Sequence, residues 1–155
     1  MLQKIINSDH SKTTILIRLM VGSVFLSEGI QKFLYPAARG IGRFDKMGFP
    51  NPEFLAMFVG TFEIIFGILL LIGFLTRTAA LAMLINMTVA IIVTKIPIAL
   101  GESFGSFVLR ELKTYGFWSM AHEMRTDFAM WLGSFFLLIK GAGKWSIDLS
   151  LTKRK

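Results

Sequence analysis

The sequence predicts an all-α fold: an integral membrane, antiparallel four-helix bundle forming a single domain over residues 1–155. Three observations predict it. The chain is 54% hydrophobic and only 17% charged, with a mean hydropathy of +0.61, whereas an average soluble domain is about 45–50% apolar and about 25% charged. Its 15 Phe and 9 Met exceed what a soluble domain of this length can hide, since such a domain leaves about a third of its chain surface in water. The charges also avoid four long apolar stretches, at 15–34, 54–75, 78–100 and 126–141. With 0 Cys, a disulfide framework, a zinc–thiolate or iron–sulfur site and a thiol nucleophile are all excluded.

The first stretch is expected to remain in the protein as a transmembrane helix over 15–34. Asp9 and His10 interrupt the leader, and no small-residue cleavage site follows, so it does not read as a removable signal peptide. Helices over 54–75 and 78–100 come next. A bilayer core takes roughly 20 apolar residues of helix, and neither Phe66–Phe74 nor Ala79–Met87 shows the polar stripe of a soluble amphipathic helix until Asn86. The turn Gly73-Phe74-Leu75-Thr76-Arg77 is so short that these two helices must be antiparallel neighbours. The last stretch is short unless its helix starts near His122, so the fourth helix is expected over 122–141.

Between the first two helices, Pro36, Gly40, Gly42, Gly48, Pro50 and Pro52 predict an ordered, non-helical link. In the third connection Phe104, Phe107, Val108, Leu112 and Tyr115 fall near a helical period. That segment reads either as an amphipathic helix on the bilayer surface or as a plain loop with scattered aromatics.

Orientation follows Lys and Arg outside the spans. Lys4, Lys12, Arg77, Lys144, Lys153, Arg154 and Lys155 lie on one side, and Arg39, Arg43, Lys46, Arg110, Lys113 and Arg125 on the other. The terminal Lys153-Arg154-Lys155 run and the compact Arg77 turn place both termini in the cytoplasm. The net charge of +7 suits anionic lipid headgroups better than nucleic acid, because no basic stripe with interleaved stacking aromatics exists away from the spans.

Ionisable residues inside a membrane are costly unless paired or wet. At 1.5 Å rise per residue, Glu28 lies about 9 Å, Glu63 about 14 Å and Lys95 about 8 Å below the same outer surface. Lys32 is one turn from Glu28 in the favourable i, i+4 order, and His122, Arg125 and Asp127 stand at the outer entrance to the fourth helix. Arg18, Arg77 and Lys140 fall near the opposite face, where they can snorkel. Glu28, Lys32, Glu63, Lys95, His122, Arg125 and Asp127 are therefore the candidate pocket and proton-handling residues. One reading is a buried ion network fixing helix register. The other is a polar pocket open to the outer half of the bilayer, with His122 contributing a side chain type that exchanges protons near neutral pH. Gly60 and Gly67 flank Glu63 on one helix face, so the carboxylate points into the bundle. Asn86 can hydrogen-bond across it. No metal site is expected: two His are too few for a cluster, and Thr126 breaks the zincin pattern after His122-Glu123.

Arg18 and Gly22, Phe25-Leu26-Ser27-Glu28-Gly29 with Lys32-Phe33, and Gly48-Phe49-Pro50-Asn51-Pro52 resemble the DoxX family of membrane proteins. So do Glu63 with Gly67, Gly73-Phe74-Leu75-Thr76-Arg77, His122-Glu123-Met124-Arg125-Thr126-Asp127-Phe128 and the ending Gly141 to Asp148. The resemblance implies a multi-pass protein of the bacterial inner membrane. The family is named for a small subunit of a quinone-reducing thiosulfate oxidoreductase, and other relatives are linked to oxidative-stress membrane complexes. Similar four-helix folds include thiol–quinone enzymes that need cysteine pairs, and that activity cannot be carried to a chain without cysteine.

Three functions stay open. The chain reads as a small subunit of a quinone-linked membrane oxidoreductase complex, as a non-catalytic binding or assembly module for a lipid-like ligand or partner protein, or, ranked last, as a small transporter. The lipid bilayer is the expected partner, with a partner redox subunit or a homo-oligomer beside it and no nucleic acid. Quinone is the candidate cofactor; no metal, haem or disulfide is expected. No side chains form an activated nucleophile or a redox centre, so an enzyme acting alone is not expected.

Overall fold

The computed structural model describes residues 11–153. Lys4, Asp9, His10, Arg154 and Lys155, used above for leader and orientation, lie outside the described residues. Among the described residues seven helices follow in order: α1 Thr14–Leu34, α2 Pro36–Arg39, α3 Ile41–Lys46, α4 Pro52–Ile72, α5 Thr76–Leu100, α6 Phe117–Lys140 and α7 Ile147–Lys153. The described residues are all-helical apart from turns and loops, with one isolated bridge between Phe104 and Phe107.

Three of the helices, α1, α4 and α5, are long and apolar enough to cross a membrane. Their outward faces carry exposed Leu16, Leu19, Ile65, Ile68, Leu81 and Ile85, an apolar surface that water would penalise and lipid would not. Helix α6 is 24 residues long but carries Glu123, Arg125 and Asp127 in its first half.

Helix α4 begins two residues before the expected 54 because Pro52 is pre-set for a first helical turn, where its missing N–H costs nothing. It ends at Ile72, short of the expected 75, because Gly73 turns left-handed at φ +68. Helix α6 begins at Phe117 rather than 122, starting from Gly116 at φ +103. Polarity is no bar to a helix whose first turns stand clear of the apolar stretch.

The link between α1 and α4 corrects the sequence expectation of a non-helical segment: it contains α2 and α3. Pro36 starts α2, Gly40 separates it from α3, and both Gly40 and Gly42 permit close packing. A Cβ at Gly40 would run into the Lys32 carbonyl, and one at Gly42 into the Ala37 carbonyl. In the third connection the surface-helix reading is not realised. Phe104 and Phe107 exchange backbone hydrogen bonds of 3.1 and 3.0 Å, and the Phe107 ring packs 5.1 Å from Phe49, itself 5.2 Å from Phe44 on α3. The Val108 N–H donates to the Met47 carbonyl at 3.2 Å. Tertiary stacking of the aromatics outweighs their local helical period.

The long helices pack chiefly as two pairs, α1 on α4 and α5 on α6. Glycines set the first pair in antiparallel register. A Cβ on Gly22 would come 3.0 Å from the Gly67 carbonyl, and one on Gly29 would come 2.7 Å from the Gly60 carbonyl. Glycines seven residues apart on each helix thus meet at matching depths, with backbone nearly touching backbone. In the second pair Trp131 donates to Thr88 at 2.9 Å and Arg77 to the Leu138 carbonyl at 2.9 Å. Val21, Phe25, Leu70, Ala79, Ala80, Met83, Met130 and Leu137 form the core.

One polar residue departs sharply from expectation. Arg18 does not snorkel: it is 1% exposed. Its guanidinium donates to the carbonyls of Leu70 at 2.9 Å, Leu71 at 2.5 Å, Ala142 at 3.2 Å and Trp145 at 3.1 Å. The last carbonyls of α4 have no partner within their own helix and carry its negative dipole end, so a buried cation is stabilised there. Asp148 completes the knot by accepting the N–H groups of Leu75 at 2.8 Å and Thr76 at 2.9 Å, capping the start of α5. The C-terminal segment thereby ties α1, α4 and α5 together.

Candidate functional site

Beyond the core, a cavity of about 790 Å³ opens among α1, α3, α4, α5 and α6. Most of its wall is apolar, with Phe25, Phe58, Phe62 and Phe66 among the lining rings. Phe54, Phe58, Phe62 and Phe66 recur one helical turn apart on α4, with successive ring centroids 6.0, 5.7 and 4.4 Å apart. This spacing builds an aromatic stripe along α4, of which Phe58, Phe62 and Phe66 line the cavity.

The polar groups lining the cavity include Glu28, Lys32, Glu63, Asn86 and Asp127. Glu63, from α4, is 6% exposed. Its Oε2 lies 2.5 Å from Lys32 Nζ of α1, and its Oε1 accepts from Asn86 Nδ2 of α5 at 3.2 Å. Three helices therefore meet at one carboxylate, and both of its oxygens are bonded. The glycines explain why it lies there. Gly60 and Gly67 bring α4 against α1, and a Cβ at Gly60 would crowd Lys32 Cβ at 3.3 Å. Chemically, the cluster offers hydrogen-bond donors and a carboxylate on the wall of an otherwise apolar space.

The expected Glu28–Lys32 side-chain pair is not formed. Lys32 turns to Glu63 and donates to the Glu28 backbone carbonyl at 3.4 Å, while the Glu28 carboxylate lies 3.7 Å from Arg39 on α2. A buried cation gains more from a buried carboxylate than from a half-exposed one. Lys95 on α5 meets Asp127 on α6 at 2.9 Å, so charges of opposite sign face each other across that helix pair. His122 and Arg125 are exposed and line neither this cavity nor the smaller one beside it. Arg125 Nη1 lies 2.7 Å from His122 Nε2 and 2.9 Å from Nδ1, and the neighbouring Glu123 pairs with Arg110 at 3.0 Å. The structure thus gathers Glu28, Lys32, Glu63 and Asp127 at one cavity, links Lys95 to it through Asp127, and leaves His122 and Arg125 at the rim of α6.

Arg43 lines the cavity although sequence reasoning used it only for orientation. Its signal was the spacing of Arg43 and Lys46, three residues apart, which share one face of α3; the expectation of a non-helical link hid it.

A family model described as DoxX matches residues 13–96 of the chain, which include α1, α4, Lys32, Glu63 and Asn86. An uncharacterized membrane protein of Mycobacterium tuberculosis is 46% identical over 151 residues, covering 97% of this chain and 88% of the relative. No solved structure matches. The glycine-paired helices, the carboxylate between them and the Gly73–Arg77 turn all stand within the matched segment, and the chain belongs to the DoxX family.

Proposed function

We propose that this protein is a small subunit of a quinone-linked membrane oxidoreductase complex, and that the cavity beside Glu63 receives a quinone. The observation that carries the reading is the shape and chemistry of the cavity: an apolar, aromatic-walled space of about 790 Å³ beside the Lys32–Glu63–Asn86 cluster. An isoprenoid tail suits the apolar walls. The quinone carbonyl oxygens need donors, and Lys32 and Asn86 each retain an N–H beyond the one given to Glu63. When bound, a quinone supplies a two-electron, two-proton acceptor. The chain's part is to bind and orient the ring, to exclude water and to hold a proton at the Glu63 carboxylate. Electrons would come from a partner subunit, because these side chains build no redox centre.

In this reading α6 is the fourth span of an antiparallel bundle, residues 1–155 form one domain, and both termini face the cytoplasm of a bacterial inner membrane. The test is extraction of the detergent-purified protein followed by quinone quantification, with partner proteins identified from the same preparation. Quinone near one per chain, lowered by Asn86→Leu, or a copurified dehydrogenase supports the reading. Repeated absence of both overturns it.

A second reading has its own observation. Both Glu63 oxygens are already bonded, as expected of a non-catalytic binding or assembly module whose ions fix helix register. There, Glu63→Gln would lower bundle stability or partner recovery while leaving any redox rate of the complex unchanged.

A further inference from the structure

A second cavity of about 670 Å³ lies beside the first, between the α2–α3 link, the end of α5 and the third connection. Its lining includes Arg39, Arg43, Lys46, Lys95 and Arg110, against the single carboxylate of Glu111. Three of these cations are held by acids outside the lining: Arg39 by Glu28, Lys95 by Asp127 and Arg110 by Glu123. Among the described residues Arg43 and Lys46 make no ion pair. They approach from α3, Lys95 from α5 and Arg110 from the third connection, so donors surround the space from separate segments.

We propose that this basic cavity binds a phosphate group. A tetrahedral oxyanion accepts hydrogen bonds in several directions at once, matching donors that converge from different segments, and guanidinium forks engage such oxygens in pairs. A carboxylate would satisfy one planar fork only. The cavity's level in the fold names the sources. Lys95 lies five residues, about 8 Å, before the end of a helix apolar enough to cross a membrane, so the cavity stands near one end of that span, within reach of lipid headgroups. Basic pockets beside transmembrane helices are suited to anionic headgroups. Arg43, Met47, Val93 and Thr94 line both cavities, so an acyl chain attached to the phosphate has an apolar space next door. The site does not depend on a quinone occupying the larger cavity.

The experiment uses the full chain, delipidated in neutral detergent. Native mass spectrometry reads retention of phosphatidylglycerol against phosphatidylcholine, whose phosphate carries its own ammonium. Calorimetry reads inorganic phosphate alone. Phosphatidylglycerol should be retained at least about tenfold better, and the preference should vanish in Arg43→Gln/Lys46→Gln. It should persist in Arg43→Lys and in Lys12→Gln/Lys144→Gln, which removes the same charge elsewhere. Preference with no heat from inorganic phosphate assigns the headgroup as ligand. Heat that disappears in Arg43→Gln/Lys46→Gln assigns the free ion. Equal retention of the two lipids with no phosphate heat overturns the proposal, as does an Arg43→Gln/Lys46→Gln protein of unchanged melting temperature that keeps the wild-type behaviour.

Discussion

Lys32 Nζ lies 2.5 Å from Glu63 Oε2, joining α1 to α4 through side chains only 11% and 8% exposed. Removing one partner strands the other charge away from water, whereas removing both leaves no ion to solvate. Lys32→Met or Glu63→Met alone should therefore cost about 3–5 kcal/mol, and Lys32→Met/Glu63→Met much less than the two single changes added. Unfolding in mixed micelles with a double-mutant cycle measures this. Additive losses would show that the pair does not couple the helices.

The glycines of α4 should not be equivalent. A Cβ at Gly67 would stand 2.8 Å from the Leu26 backbone nitrogen, while one at Gly60 would stand 2.9 Å from the Phe33 ring. Backbone cannot yield as a terminal ring can, so Gly67→Ala should cost about 1–3 kcal/mol and Gly60→Ala clearly less. Thermal melts of the two variants give the order, and the reverse order would contradict the α1–α4 packing described above.

Arg18 donates to four carbonyls. A lysine ammonium has three donors on one atom, so Arg18→Lys keeps the charge yet takes a hydrogen bond from at least one buried carbonyl. A loss of about 1–3 kcal/mol is expected for each such group. The same variant should loosen the C-terminal segment, seen as faster amide exchange over residues 142–148. Wild-type stability and exchange would show that charge, not fork geometry, holds the knot.

The chain has 0 Cys, so a single introduced thiol reports its own side of the membrane. With cytoplasmic termini, Ser106→Cys should react with an impermeant thiol reagent in intact cells, and Lys153→Cys only after permeabilisation. The opposite pattern would invert the proposed topology.

The α1, α4 and α5 spans were legible in the sequence because a bilayer demands long runs of apolar residues. The tight Gly73–Arg77 turn was legible because so few residues can only reverse direction. The inward aim of Glu63 was legible too, through the glycines on its own helix face. Less could be read where a residue's partner is distant along the chain. Lys32 is one turn from Glu28, yet it pairs with Glu63, 31 positions away. Arg18 looked like a snorkelling residue because its acceptors lie on α4 and beyond α6. Phe104 and Phe107 looked like part of a helix period until Phe49 claimed the Phe107 ring.

By itself, then, the sequence determined an all-helical membrane protein, the three spans α1, α4 and α5, and the family, because hydropathy, helix length and linear motifs are local properties of the chain. Only the tertiary structure decided which ions pair, that Arg18 is buried, and that Arg43 lies where an apolar cavity meets a basic one. Those outcomes depend on which side chains reach a shared low-dielectric space first, and that competition is settled by helix packing rather than by spacing along the chain.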